Sequence, residues 1–179
     1  MDGIDKLTAV VGGRTLLASA CDAASGARRL VVVGPPTAVV PAGTLRVQED
    51  PPFAGPAAAM GAGLAALGDD VSDHVLVVAA DVPRAAEVVQ TLLRALASHP
   101  ERDGAAALGA DGRRQPLLAV HRVVPFRDAL LRHAPLADLS AMRVTADLDL
   151  LDVVVDDDVL ADVDTRDDLD RLTREHRDG

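Results

Sequence analysis

Two runs of apolar residues constrain this chain more than anything else in it: Leu30-Val31-Val32-Val33 and Val75-Leu76-Val77-Val78-Ala79-Ala80. Neither alternates with polar residues. A strand with one wet face reads as strict alternation, so these two predict strands covered on both faces, as in a parallel sheet flanked by helices. The segments between and after them carry helical signals. Thr15 suits an N-cap for a helix over 15–24 that stops at Gly26. Pro56 to Leu67 predicts a small-residue helix ending at Gly68, whose internal Gly61 and Gly63 are tolerable only if another backbone packs close. Val88, Leu92, Leu93 and Leu96 mark an amphipathic helix closed by Pro100, with Pro83 starting it.

The second half is less regular. Ala105 to Leu108 and Leu117 to Val120 predict two strands joined by a loop at Ala110-Asp111-Gly112. Residues 124–132 and 137–146 read as helices separated by Pro135. Val153 to Val155 is a short strand, Asp156-Asp157-Asp158 a solvated loop, and Thr165 caps a last helix through Arg174. Strands alternating with helices give a three-layer α/β domain with mostly parallel strands. At 179 residues this is one domain, over 1–174, with a polar tail at 175–179.

Composition narrows the function. The net charge is −10 with no cluster of basic residues, which argues against a nucleic-acid footprint. No apolar run reaches the ~20 residues of a membrane helix, and no signal sequence opens the chain. The single cysteine, Cys21, cannot form an internal disulfide and falls in an apolar helical pattern, which fits a reducing cytoplasm. An acidic protein that binds a polyphosphate needs help from a metal ion and from backbone N–H groups.

Candidate site residues follow from that need. In open parallel sheets ligands lie beyond the carboxyl ends of the strands. The first apolar run ends at Gly34-Pro35-Pro36, where backbone can approach a flat ligand. The second ends at Asp81-Val82-Pro83, where Asp81 serves equally as a helix N-cap or as a Mg²⁺ ligand. Glu49-Asp50-Pro51-Pro52-Phe53-Ala54-Gly55-Pro56 places two carboxylates before a stiff loop and a helix N-terminus with free N–H groups, or is a plain strand-to-helix connection. Asp162-Val163-Asp164-Thr165 offers a metal ligand or an acidic first turn. Lys6 is the only lysine beside seventeen arginines. A compact ammonium suits phosphate oxygens as a point charge, although an exposed lysine near a terminus accounts for it as well. The five histidines show no metal spacing, and Arg143 is an ordinary surface arginine that phosphate could also meet.

Taken in order, these segments resemble the molybdenum cofactor guanylyltransferase family and its wider group of nucleotidyltransferases. The stretches that carry the resemblance are Gly3-Ile4-Asp5-Lys6, Val11-Gly12-Gly13-Arg14-Thr15-Leu16-Leu17, Val31-Val32-Val33-Gly34 and Glu49-Asp50-Pro51-Pro52 with Gly55-Pro56. Later come Val78-Ala79-Ala80-Asp81-Val82-Pro83, Gln115-Pro116-Leu117-Leu118 and Asp162-Val163-Asp164-Thr165 with Asp168-Leu169. The resemblance implies a Rossmann-like nucleotidyltransferase sheet and transfer of GMP from GTP to molybdopterin cofactor, with release of pyrophosphate. It implies Mg²⁺ as cofactor. It further implies Lys6 and Asp81 as catalytic residues, Lys6, Gly34, Asp50 and Asp81 at the nucleotide, and Asp81 with Asp164 at the metal. The same scaffold serves cytidylyltransferases and sugar-phosphate nucleotidyltransferases. Family members open with a strand and a glycine-rich loop, Leu-Ala-Gly-Gly-x-Ser-x-Arg-Met-Gly. Met1 matches that loop's Met, and Asp2 stands where a Gly is usual. The resemblance therefore implies that the first strand is missing, with an open gap left in the sheet. Either an internal Met was taken as the start or the chain is a shortened, impaired relative that binds without turning over. The retention of Lys6, Asp50 and Asp81 favours the former.

Overall fold

The structure is a computed structural model that describes residues 9–68, 72–161, 163 and 168. It begins with a hairpin, β1 (Val10–Val11) against β2 (Arg14–Thr15). Gly12 and Gly13 turn it with φ of 58° and 80°, the left-handed pair that a two-residue hairpin favours. Thr15 then caps α1 (Leu16–Ala23), its Oγ1 accepting from the Ala18 N–H at 3.1 Å. This is the helix start expected from the sequence.

Strand β3 (Val31–Val33) pairs in parallel with β4 (Leu45–Val47). Helix α2 (Pro56–Leu67) has the bounds the sequence predicts, with Pro56 at its first turn and Gly68 at φ 76° just past its end. Its internal glycines face close neighbours, but these are side chains and not the backbone that the sequence reading expects. A Cβ on Gly63 would lie 3.1 Å from Val33 Cγ2, and one on Gly61 would lie 2.6 Å from Leu136 Cδ1.

The main sheet has the order β5-β7-β6-β8, with β5 (His74–Val78), β6 (Gly104–Leu108), β7 (Arg114–Arg122) and β8 (Leu150–Val154). Helix α3 (Ala86–Ser98) covers one face, where Val88, Leu92 and Leu96 meet Leu118 and Val120. On the other face Met60 and Leu64 of α2, Phe126 and Leu130 of α4 (Val123–Arg132) and Val144 of α5 (Ala141–Thr145) enclose Ala119. Leu118 and Val120 thus point one way and Ala119 the other, the two-residue period of a strand. The expected helix-sheet-helix layering is present.

Several local expectations are corrected. Within the main sheet β5, β6 and β8 run the same way, as mostly parallel strands should, but β7 is reversed and pairs antiparallel with both β5 and β6. The turn at Ala110–Gly112 is too short for a parallel crossover and forces β6 and β7 into opposite directions. The helix expected over 137–146 shrinks to α5, because Asp138 sits at φ 62° and the helix starts only where Ser140 Oγ accepts from the Arg143 N–H at 3.2 Å. Pro83 lies in a turn, and α3 begins at Ala86. The Asp156–Asp158 run is no plain solvated loop: α6 (Asp157–Leu160) starts there, and the Asp157 carboxylate accepts from the Ala110 N–H at 2.9 Å. Thr165 and the helix through Arg174 lie outside the described residues, Asp168 excepted.

The two leading apolar runs do become strands, but they are half-buried rather than covered throughout. The reason is that β3 and β5 belong to separate sheets. An apolar cleft of about 760 Å³ separates them, lined by Val31 and Val33 on one side and by Val75 and Val77 on the other.

Candidate functional site

The strand ends converge on one rim of this cleft. α2 starts soon after the carboxyl end of β4, and its last turn returns to the opposite end of the sheet, where the Leu67 carbonyl accepts from Arg29 Nη1 at 2.8 Å just ahead of β3. β5 sets out from that opposite end and therefore runs back in the same direction as β3 and β4. Ala80, past the end of β5, joins the cluster of Val32 and Ala38 at the end of β3. Gly34, Asp50 and Asp81 each follow a strand on this carboxyl side. Of the three only Asp81 lines the cleft, Gly34 and Asp50 follow β3 and β4 outside its lining, and Lys6 and Asp164 lie outside the described residues.

Each of the three is held differently. The Gly34 N–H donates to the Val47 carbonyl at 2.9 Å, which extends the β3–β4 ladder one step beyond the strands. Asp50 is exposed, and its neighbour Glu49 accepts from the Phe53 N–H at 3.0 Å. Asp81 is half-buried on the cleft wall. Its carbonyl accepts from the Val163 N–H at 3.1 Å, which fixes the backbone. Its carboxylate has no partner among the described residues, so it does not act as a helix N-cap.

The start of α2 differs from expectation. Pro56 has no N–H, and the Ala57 N–H donates to the Leu139 carbonyl at 3.3 Å. The Asp138 N–H likewise donates to the Ala54 carbonyl at 2.8 Å. The loop before α5 thus occupies part of the helix N-terminus that the sequence alone leaves free for phosphate. Sequence reasoning gave no role to Phe53. Its side chain is 81% exposed on a backbone at φ 64°, a left-handed conformation that costs a bulky residue free energy. The available signal was an aromatic placed between Pro-Pro and Ala-Gly in a chain with only two aromatics.

Other reactive groups stand apart. Cys21 is buried in α1, and burial, followed by the charge of Asp22, pushes its thiol pKa up, so it is no activated nucleophile. His121 is fully buried on β7, stacked on Phe126 at 4.5 Å between ring centroids, and serves the core. Arg143 is exposed on α5.

Among the described residues no group of three or more His, Cys, Asp or Glu could cage a metal ion. A hard divalent cation shared with phosphates and water needs only one or two carboxylates. An unpaired carboxylate on a fixed backbone at the cleft rim, as at Asp81, fits that mode of binding.

The MobA-like NTP transferase domain matches residues 1–150. The chain belongs to this family. Solved structures agree on the fold of this MobA-like domain. Molybdopterin-guanine dinucleotide biosynthesis protein A from Archaeoglobus fulgidus superposes with a TM-score of 0.72 at 17% identity, over 99% of this chain and 93% of that one. The 2-C-methyl-D-erythritol 4-phosphate cytidylyltransferase from Thermus thermophilus gives 0.66 at 21%, over 96% and 93%. A manganese complex of Rv0371C from Mycobacterium tuberculosis H37Rv gives 0.63 at 21%, over 96% and 93%. No curated protein matches the sequence. At these identities the superpositions establish the fold, and the family match places the protein among NTP transferases. No helix among the described residues is long and apolar enough to cross a membrane.

Proposed function

We propose that this protein is a Mg²⁺-dependent nucleotidyltransferase that moves GMP from GTP onto the terminal phosphate of molybdopterin cofactor, in the cytoplasm. Membership of the MobA-like family supports the reaction class, and the placement of Asp81 on the cleft wall just past β5 supports its site.

In this reaction an oxygen of the acceptor's terminal phosphate attacks the α-phosphorus of the nucleotide in line. The new P–O bond forms as the bond to the α,β-bridging oxygen breaks, and pyrophosphate leaves with the electron pair. Little of the work is covalent: positioning and charge neutralisation carry it. A divalent cation bound there supplies positive charge against phosphate oxygens, which a chain of net charge −10 otherwise repels. Asp81 would hold that cation, with Asp164 as a second contact. The Lys6 ammonium would meet the phosphates, and the backbone at Gly34 would approach a flat base. Asp50, exposed after β4, would sit near the nucleotide.

The test is a pyrophosphate-release assay with each of GTP, CTP, ATP and UTP, with and without molybdopterin, in Mg²⁺. Acceptor-dependent release with GTP alone is the expected result. Release with CTP and not GTP would move the protein to the cytidylyl reading, for which the Thermus thermophilus superposition gives a fold precedent. Undiminished release by Asp81→Asn would overturn the site.

A further inference from the structure

Helix α4 turns Val123, Phe126, Ala129 and Leu130 onto the core, where they meet Ala119 of the main sheet. At about 100° per residue, Val124, Arg127, Asp128 and Leu131 fall on the opposite side, spaced i, i+3, i+4 and i+7. A helix face turned to solvent is ordinarily polar throughout. Here both ends of the face are aliphatic, Val124 and Leu131 each being 68% exposed. Between them stand one cation and one anion, Arg127 and Asp128, and neither has a hydrogen-bond or ion-pair partner among the described residues. They do not satisfy one another, because adjacent residues on a helix point apart.

The order along the face is apolar, positive, negative, apolar, and that order decides what fits it. Turned end for end about the point between residues 127 and 128, Val124 falls on Leu131 and Arg127 falls on Asp128. A second copy of the helix laid antiparallel therefore meets each apolar side chain with another and each charge with its opposite. A parallel copy would set like charge on like, and a purely acidic or purely basic partner would repel one of the two charges.

We propose that the outer face of α4 is a dimerisation surface, on which two copies of this chain pair antiparallel about a twofold axis. Val124 packs against the partner's Leu131, and Arg127 pairs with the partner's Asp128. The contact is isologous, so each of these pairs occurs twice. The aliphatic ends flank the two ion pairs and exclude water from them, which strengthens a pair that would count for little on an open surface. A helix of 10 residues buries less than the roughly 1,600 Å² of a standard interface, so the dimer is a weak one that concentration controls. None of the four residues lines the cleft, and the test below measures no turnover, so pairing stands apart from the proposed reaction.

Sedimentation equilibrium from about 5 to 500 µM tests it, a range that brackets weak association. Salt is held at about 0.15 M, where the repulsion between two chains of net charge −10 is screened beyond about 8 Å. The unmodified chain is expected to pass from monomer to dimer as concentration rises. Arg127→Asp alone, or Asp128→Arg alone, sets like charges together at both contacts and should weaken the dimer at least about tenfold. Mixed in equal amounts, one variant presents two negative groups and the other two positive ones, so a heterodimer regains both ion pairs. Its affinity is expected within about threefold of the unmodified dimer, and such recovery also shows that both variants are folded. Leu131→Ser, which keeps the charges, should weaken pairing as well. Monomer at every concentration overturns the proposal. So does a dimer that either single charge reversal leaves intact, or a mixture that associates no better than its components.

Discussion

A Cβ placed on Gly104 would lie 2.5 Å from the carbonyl oxygen of Val120, so β6 and β7 meet at this point with no side chain between them. Leu150 Cδ2 at 2.8 Å and His121 Nδ1 at 3.1 Å close the remaining sides. Gly104 pairs with His121 in register and with Leu150 across the parallel partner β8. One end of the β7–β6–β8 ladder is therefore set by one glycine, for want of space.

Gly104→Ala should destabilise the protein by about 3 kcal/mol, because a ladder carbonyl cannot move aside without breaking its own pairing. Gly61→Ala is the contrasting case. Its Cβ would meet only Leu136 Cδ1, the far end of a side chain that can change rotamer, and alanine is the better helix former by about 1 kcal/mol. The expected change there is within about 1 kcal/mol of zero. Urea denaturation of the two variants checks the difference, and equal losses would mean that the strand contact is not the constraint.

His121 makes the core sensitive to acid. Neither ring nitrogen has a hydrogen-bond partner among the described residues, and burial pushes its pKa down to about 4 from the usual 6.5. Below pH 6.5 the unfolded chain takes up a proton that the folded chain refuses until about pH 4. Stability is thus full above pH 6.5 and falls as the pH drops through that window, by on the order of 3 kcal/mol. His121→Leu should remove this part of the pH dependence. Thermal melts of both proteins between pH 4 and 7 measure it, and parallel profiles would contradict the assignment.

Asp81→Ala should leave the melting temperature nearly unchanged, since the carboxylate supports no partner among the described residues and the backbone bond to Val163 survives. Metal-dependent turnover should fall at least ~100-fold, about 2.7 kcal/mol of transition-state stabilisation. Titration with Mn²⁺ followed by relaxation enhancement separates loss of the ion from loss of the fold. A variant that binds the ion as wild type does would remove Asp81 from the metal.

Lys6→Ala should weaken NTP binding roughly tenfold, and Lys6→Arg should recover only part of it, because a planar fork does not replace a compact ammonium on phosphate. Calorimetric titration with GTP and Mg²⁺ decides. Full recovery by Arg would mean that any positive charge suffices.

Local rules carried much of this fold. The cap at Thr15 and the limits of α2 at Pro56 and Gly68 depend on a few neighbouring residues whose backbone preferences are intrinsic, so they could be read directly. Close packing at Gly61 and Gly63 was legible too, although the neighbours are the side chains of Leu136 and Val33 and not a backbone. Gly34, Asp50 and Asp81 were visible as candidates because each follows an apolar strand, and strand ends are where a sheet exposes side chains to ligand.

Tertiary structure decided the rest, and in each case the cause was a contact between segments far apart in sequence. The shortening of the predicted 137–146 helix and the loss of a free N–H at Ala57 both depend on pairings that no local pattern encodes. His121 carried no pattern as a histidine, and only burial against Phe126 makes it a titrating weakness of the core. The apolar runs 30–33 and 75–80 determined that two strands would form with a need for cover on every side. Whether that cover was present depended on what lay between them, because hydrophobicity specifies burial while only the assembled sheet specifies the neighbour.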